Sequence, residues 1–213
     1  MLRRCLLAPI PEFDSVAGSL SVAADSLLAG NLADCERHLK DADLQAPRNF
    51  SYKVCGPISF EIHRQTCYPK YPKVVGSARE RMPNKSIERQ VFKRDGYRCR
   101  FCSSRVILRQ ARDVFRAALP TAARWGRTND EKHFGLATLT ASLDHLLPFG
   151  RGGSNDIENL VTACGPCQFG RVHWTLEEVE LEDPISYAPV VDEWDGLQRL
   201  GSMRASPIVC QEA

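Results

Sequence analysis

No apolar stretch in this chain of 213 residues approaches the roughly 18 needed to span a bilayer. A transmembrane helix is therefore excluded by the sequence itself. The opening Met1–Ile10 carries Arg3 and Arg4, but its apolar run is short and interrupted by Pro9. A signal peptide is not expected there, and the expected compartment is the cytoplasm. Nor is there an excess of one charge, since the formal net charge is only +2. The segment Leu27–Cys35 reads like half of a helical repeat, yet no second copy follows, which argues against a solenoid. No βαβ pattern surrounds the Cys-x-x-Cys pairs, which argues against a thioredoxin-like redox protein.

What is present is unevenly distributed. From Lys73 to Arg112 the chain carries 12 Lys and Arg residues opposed only by Glu80, Glu88 and Asp95. The balancing acid comes later, from Glu177 to Asp195. A local basic stretch can bind phosphates although the whole chain is nearly neutral; the alternative is a solvated helix face. Nine cysteines fall into two sets. Cys5, Cys35, Cys55, Cys67 and Cys210 stand alone, as small buried hydrophobes or free thiols do. Cys99/Cys102 and Cys164/Cys167 form two Cys-x-x-Cys knuckles, suited to a tetrahedral zinc. Residues 103–163 separate the pairs, far more than the roughly 15–20 of a simple ribbon. The pairs must then meet through the fold, as a staple for a small domain.

The periodicity of Val22, Ala23, Leu27, Leu28, Leu32, Cys35 and Leu39 predicts two short helices over Asp14–Leu44, broken at Gly30-Asn31. Residues 1–48 thus form a helical accessory element. Residues 49–85 read as a Pro-, aromatic- and base-rich connector with one short strand near Ile58–Ile62. Ser86 is expected to cap a helix through Ile87, Val91 and Phe92 that ends at Arg94-Asp95-Gly96. Arg112–Ala123 reads as a helix in an inserted segment (about 109–135), and Trp125–Asn129 as a loop that contacts substrate or merely closes on itself. Leu136–Leu147 reads as a strand, and a helix should start near Pro166. Residues 181–213 read as an acidic, loosely packed tail. His38, His63 and His133 have no partner at a recognisable spacing and read as structural or exposed.

Between the knuckles stand Leu143-Asp144-His145-Leu146-Leu147-Pro148, then Arg151-Gly152-Gly153-Ser154-Asn155-Asp156 and Glu158-Asn159-Leu160. With Phe92–Cys99 as lead-in, this order resembles the HNH endonuclease family over roughly residues 86–180. The resemblance implies an α+β chain containing a ββα-metal nuclease domain with structural zinc. It also implies a metal-dependent endonuclease acting on nucleic acid, DNA rather than RNA; the alternative is a zinc-stapled binding module with weak or no catalysis. By resemblance His145 is the general base, because an imidazole can take a proton near neutral pH. Asp144 helps hold a divalent cation such as magnesium, and Asn159 holds the loop and orients the histidine. The family places Asn directly after the last cysteine, whereas here Gln168 stands there; Gln168 or His173 would complete the ion's ligands. Arg171 matches the family's basic residue on this helix. Arg151, Lys93 and Arg94 join it as candidate phosphate contacts.

Overall fold

The structure, a computed structural model, describes residues 2–55 and 80–203. The strand expected near Ile58–Ile62, most of the connector, Lys73, Arg79, His63, Cys67 and Cys210 lie outside the described residues. No helix among the described residues is long and apolar enough to cross a membrane.

Helix α1 spans Glu12–Leu28, and its Phe13, Val16, Ala17, Leu20, Ala23, Ala24 and Leu27 are buried at three- and four-residue steps. Gly30 ends the turn after it with φ +76°, a conformation that glycine adopts without strain. Asn31 then caps α2 (Leu32–Asp41) by accepting from the Asp34 N–H at 3.1 Å. A third helix, α3 (Gln45–Cys55), runs on through the point where a connector was expected to begin. Its Pro47, Phe50 and Val54 recur at helical spacing and are buried. This apolar face outweighs the mixed composition of the segment.

The chain re-enters through α4 (Lys85–Arg94), which is capped by Asn84 and not, as expected, by Ser86. The Asn84 side chain accepts from the Ser86 and Ile87 N–H groups at 2.9 and 3.0 Å. Helix α5 (Arg109–Ala118) follows the first knuckle, and α6 occupies Phe134–Leu139. The strand expected over Leu136–Leu147 is thus confined to β1, Ser142–His145. His133 caps α6 through Nδ1, and Leu136 and Leu139 enter the core from one helical face. Strand β2 (Leu160–Ala163) pairs antiparallel with β1, setting Asp144 opposite Val161 and His145 opposite Leu160. Helix α7 (Gly165–Arg171) starts with Pro166 in its first turn and packs back on β1.

The free edge of β2 is finished by side chains and a knuckle. The buried Asp95 carboxylate accepts the Thr162 N–H at 2.8 Å, while the Arg100 N–H donates to the Thr162 carbonyl at 2.8 Å. Helix α4 and the first knuckle thereby stand in for a third strand.

The N-terminal helices and residues 181–203 of the tail both pack against the rest of the chain. A Cβ on Gly135 would meet the Ala42 carbonyl oxygen at 2.3 Å, and one on Gly170 would meet Val54 at 2.5 Å. The helical layer is therefore in van der Waals contact with α6 and α7. Between Leu181 and Leu200, three leucines (181, 197 and 200) are buried, and the Trp194 indole donates to the Val106 carbonyl at 2.8 Å. Polar letters dominate this stretch, and Ile185, Val190 and Val191 are exposed, but the three leucines point inward. One core joins the helices, the sheet and the tail.

Candidate functional site

Cys99 and Cys102 sit on a tight turn in which the Ser103 N–H donates to the Cys99 carbonyl at 2.8 Å and the Cys99 N–H to Ser104 at 2.9 Å. Ser103 takes φ +61° to close it. Cys164 precedes α7 and Cys167 lies in its first turn. All four cysteines are buried, and their sulfurs lie within 4.8 Å of one another. The Cys102 and Cys164 sulfurs are 3.7 Å apart. Two thiolates bound at about 2.3 Å to a tetrahedral zinc would be separated by about 3.8 Å, so the donor set fits. The electrostatics call for a cation as well. Hydrogen bonds from Cys164, Cys167 and Cys99 hold the Cys102 thiol well below its ordinary value, while that interaction with Cys102 pushes the Cys164 thiol well above its own. One negative charge fits among four clustered thiols; four need a metal.

Asp144 and His145 end β1 and are both nearly buried. The Asp144 carboxylate is gripped on both oxygens by Arg171, with Nε at 2.9 Å and Nη2 at 2.6 Å. Burial pushes the Asp144 carboxyl up, with the Arg171 guanidinium opposing it. Arg171, only 1% exposed, also donates to the carbonyls of His145 and Trp174, each at 2.5 Å. Arg171 precedes Val172, which holds φ +54° at the end of α7. A β-branched residue rarely takes this conformation.

The His145 ring is held by Asn155, whose Oδ1 lies 2.8 Å from Nε2. The Asn155 amide is oriented in turn because its Nδ2 donates to the Glu80 carbonyl at 2.8 Å. With an amide oxygen facing Nε2, that nitrogen must donate, and the neutral ring keeps its lone pair on Nδ1. Asn159 organises the loop between the strands. Its Oδ1 accepts the Leu147 N–H at 2.8 Å, and its Nδ2 donates to Leu147 and Ser154 carbonyls at 3.2 and 2.8 Å. Gly153 makes this approach possible, since a Cβ there would collide with the Leu147 carbonyl at 1.7 Å.

The other candidate residues are scattered in role. Gln168 accepts from the Ser142 hydroxyl and donates to the Leu143 carbonyl at 3.0 Å, facing β1 at positions before Asp144. His173 is exposed and stacks on Trp174. Asp144, Gln168 and His173 are thus engaged by Arg171, by β1 and by Trp174 respectively. Arg151 is buried against Glu178 at 3.1 Å, inside a reciprocal Thr175–Glu178 cap. Neither Arg151 nor Arg171 presents its guanidinium to solvent, in contrast to their expected phosphate contacts. Arg94 is half-buried and committed to Asp95 and to the Ile157 and Leu160 carbonyls. Lys93 is exposed.

Asn155 and Asp95 are the structural partners that the sequence did not single out. The first stands in a Gly-Gly-Ser-Asn turn that reads only as a loop. The second reads as a helix stop. Asp95 could have been marked by its position between two arginines beside a knuckle.

The description HNH endonuclease is that of the family model matching residues 131–168. Neither the curated proteins nor the solved structures hold a significant match to the chain. The matched segment contains Asp144, His145, Asn159 and the second cysteine pair. It runs from α6 through β1 and β2 into the start of α7, and the first pair reaches the same cysteine cluster from outside it. Residues 131–168 thus match the HNH endonuclease model, and four cysteines beside them are clustered closely enough to hold one metal ion.

Proposed function

We propose that this chain is a metal-dependent endonuclease that hydrolyses phosphodiester bonds of nucleic acid, with DNA the preferred substrate. The four cysteines hold zinc as a structural staple. The observation that carries the reading is the state of His145: Asn155 fixes the ring so that the Nδ1 lone pair is left to accept a proton. In hydrolysis Nδ1 takes the proton of the attacking water. Asn159 fixes the loop that shapes the approach to this base, and the exposed Lys93 offers a cation to a phosphate. A divalent cation such as magnesium would supply charge neutralisation at the phosphate and the leaving oxygen. Asp144, Gln168 and His173 are each engaged by protein partners and do not fit such an ion as they stand.

That misfit favours a second reading, a nucleic-acid-binding module without catalysis. Arg171 occupies both Asp144 oxygens and supplies internally the positive charge that an ion would bring.

Plasmid nicking by zinc-loaded protein separates the two readings. The assay compares magnesium, manganese, nickel and EDTA, with His145→Ala in parallel and an RNA of matching sequence as competitor. Nicking that requires a divalent ion and disappears in His145→Ala is the expected result. Undiminished nicking by His145→Ala would remove the imidazole from the mechanism. Binding without cleavage under every metal would establish the second reading.

A further inference from the structure

We propose that residues 109–132, between the first knuckle and α6, form a second docking surface that grips the nucleic-acid backbone through cations gathered around Trp125. The proposal rests on the nucleic-acid-acting reading above and places part of the grip outside the His145 loop.

The surface is built by two elements. Helix α5 carries Arg109, Arg112 and Arg116 at steps of three and four, flanking its buried Ala111 and Phe115, with the Arg112 side chain only 13% exposed. Trp125 and Lys132 pair antiparallel across a short loop, which the Glu131 carboxylate closes by accepting from the Arg127 and Thr128 N–H groups at 2.7 and 3.0 Å. Three cations converge on the Trp125 ring as a result. The guanidinium carbons of Arg112 and Arg116 lie 4.4 and 5.4 Å from its centroid, and the Lys132 ammonium lies 5.6 Å away. All fall inside the roughly 6 Å over which the ring quadrupole attracts a cation.

Charge decides what such a cluster is suited to. A carboxylate would neutralise the cations; an indole has no net charge and holds them in place with their charge intact. One oxygen of Asp113 serves both Arg112, at 2.8 Å, and Arg116, at 3.3 Å. The neighbouring acids are engaged elsewhere. Asp130 pairs with Arg48 at 2.6 Å, and Glu131 is turned to the loop backbone. With Arg124 paired to Asp43 and Asp130 to Arg48, five cations (Arg109, Arg112, Arg116, Arg127 and Lys132) face two carboxylates (Asp113 and Glu131), a formal surplus of three positive charges. Trp125, Arg116 and Lys132 are half-buried and Arg109 is exposed, so the patch is open to a large ligand. Two guanidinium groups and an ammonium match the phosphodiester backbone, whose non-bridging oxygens accept forked and single hydrogen bonds.

The test measures anisotropy of a labelled DNA duplex titrated with the full zinc-loaded chain. The chain carries His145→Ala so that the probe stays intact, and salt is varied over about 50–200 mM. The pair Arg116→Gln/Lys132→Gln removes two contacts, which should lower the slope of log affinity against log salt by about 0.9 each. Affinity should fall at least about tenfold at the middle of that range. The pair Arg116→Lys/Lys132→Arg should keep the parent slope, which a merely structural role would not require. An unchanged slope in the glutamine pair, with a salt-dependent parent, overturns the docking surface and leaves the functional reading standing. A parent that shows no salt-dependent binding overturns both.

Discussion

The tautomer of one histidine sets what the loop around β1 can do. Asn155 reaches His145 with its oxygen because its amide nitrogen is already committed to the Glu80 carbonyl. Replacing it by Ala releases the ring, and kcat for nicking should fall about 10–100-fold, the range seen when the partner of a working imidazole is removed. KM and the melting temperature should stay near those of the parent. Asn155→Asp keeps an acceptor opposite Nε2 and adds a negative charge that favours the imidazolium. Its rate should recover, with the acid limb of the pH profile moved to higher pH. A profile that coincides with the parent's would remove Asn155 from the positioning of His145. Asp144 is the contrasting case. Its neighbour in sequence meets a neutral amide, while its own carboxylate meets a guanidinium from α7. The sequence placed Asp144 and His145 side by side but could not assign those partners. Arg171 lies a helix away and Asn155 across a turn, and only the folded register brings them in.

Helix ends were the least legible parts of the chain, and α6 shows why. A run from Leu136 to Leu147 is apolar enough for a strand, yet His133 diverts its first third into a helix by accepting the Leu136 N–H through Nδ1. Nε2 meanwhile donates to the Leu39 carbonyl at 2.8 Å, tying α6 to α2. Protonating Nδ1 would forfeit the cap, and burial already pushes the pKa of this histidine down to about 4 from 6.5. Between those values the unfolded chain binds a proton that the folded chain refuses. Stability is thus fully present above about pH 6.5 and is lost as pH falls toward 4, by on the order of 3 kcal/mol. Urea unfolding at several pH values checks this; His133→Asn, which can still cap α6, should flatten that part of the curve. An equal slope in the variant would assign the loss to other groups. The helical hairpin, by contrast, was readable from apolar spacing and the Gly30-Asn31 break. Helix α3 was missed because its composition looks like a linker's, and only three residues, Pro47, Phe50 and Val54, mark its buried face.

The four cysteines were the most legible feature of all, because paired spacing reports a shared metal whatever separates the pairs. The structure adds what the staple connects. The first knuckle completes the edge of β2, while the second opens α7, so an ion held by the four cysteines would tie both halves of the sheet region together. Stripping zinc with a strong chelator should lower the melting temperature sharply. A loss of even about 5 kcal/mol corresponds to roughly 10–20 °C for a chain of this size. Cys102→Ser should act in the same direction, and metal analysis should return one zinc per chain. Coincident melting curves before and after chelation would reduce the cysteines to ordinary core residues. The tail could not be read this way, since Leu181, Leu197 and Leu200 are too widely spaced to form a pattern.

The close seating of Gly135 against Ala42 and of Gly170 against Val54 bears on modularity. The segment that matches the HNH model is short enough to suggest a self-contained cassette. In this chain the cassette has no underside of its own. Residues 131–168 rest on a helical layer contributed from before residue 56, and Leu197 and Leu200 of the tail complete the same core. A graft that moved the recognisable motif alone would transfer the signature and leave behind the surfaces that hold it in shape. For this protein the recognisable segment and the unit of folding differ in size.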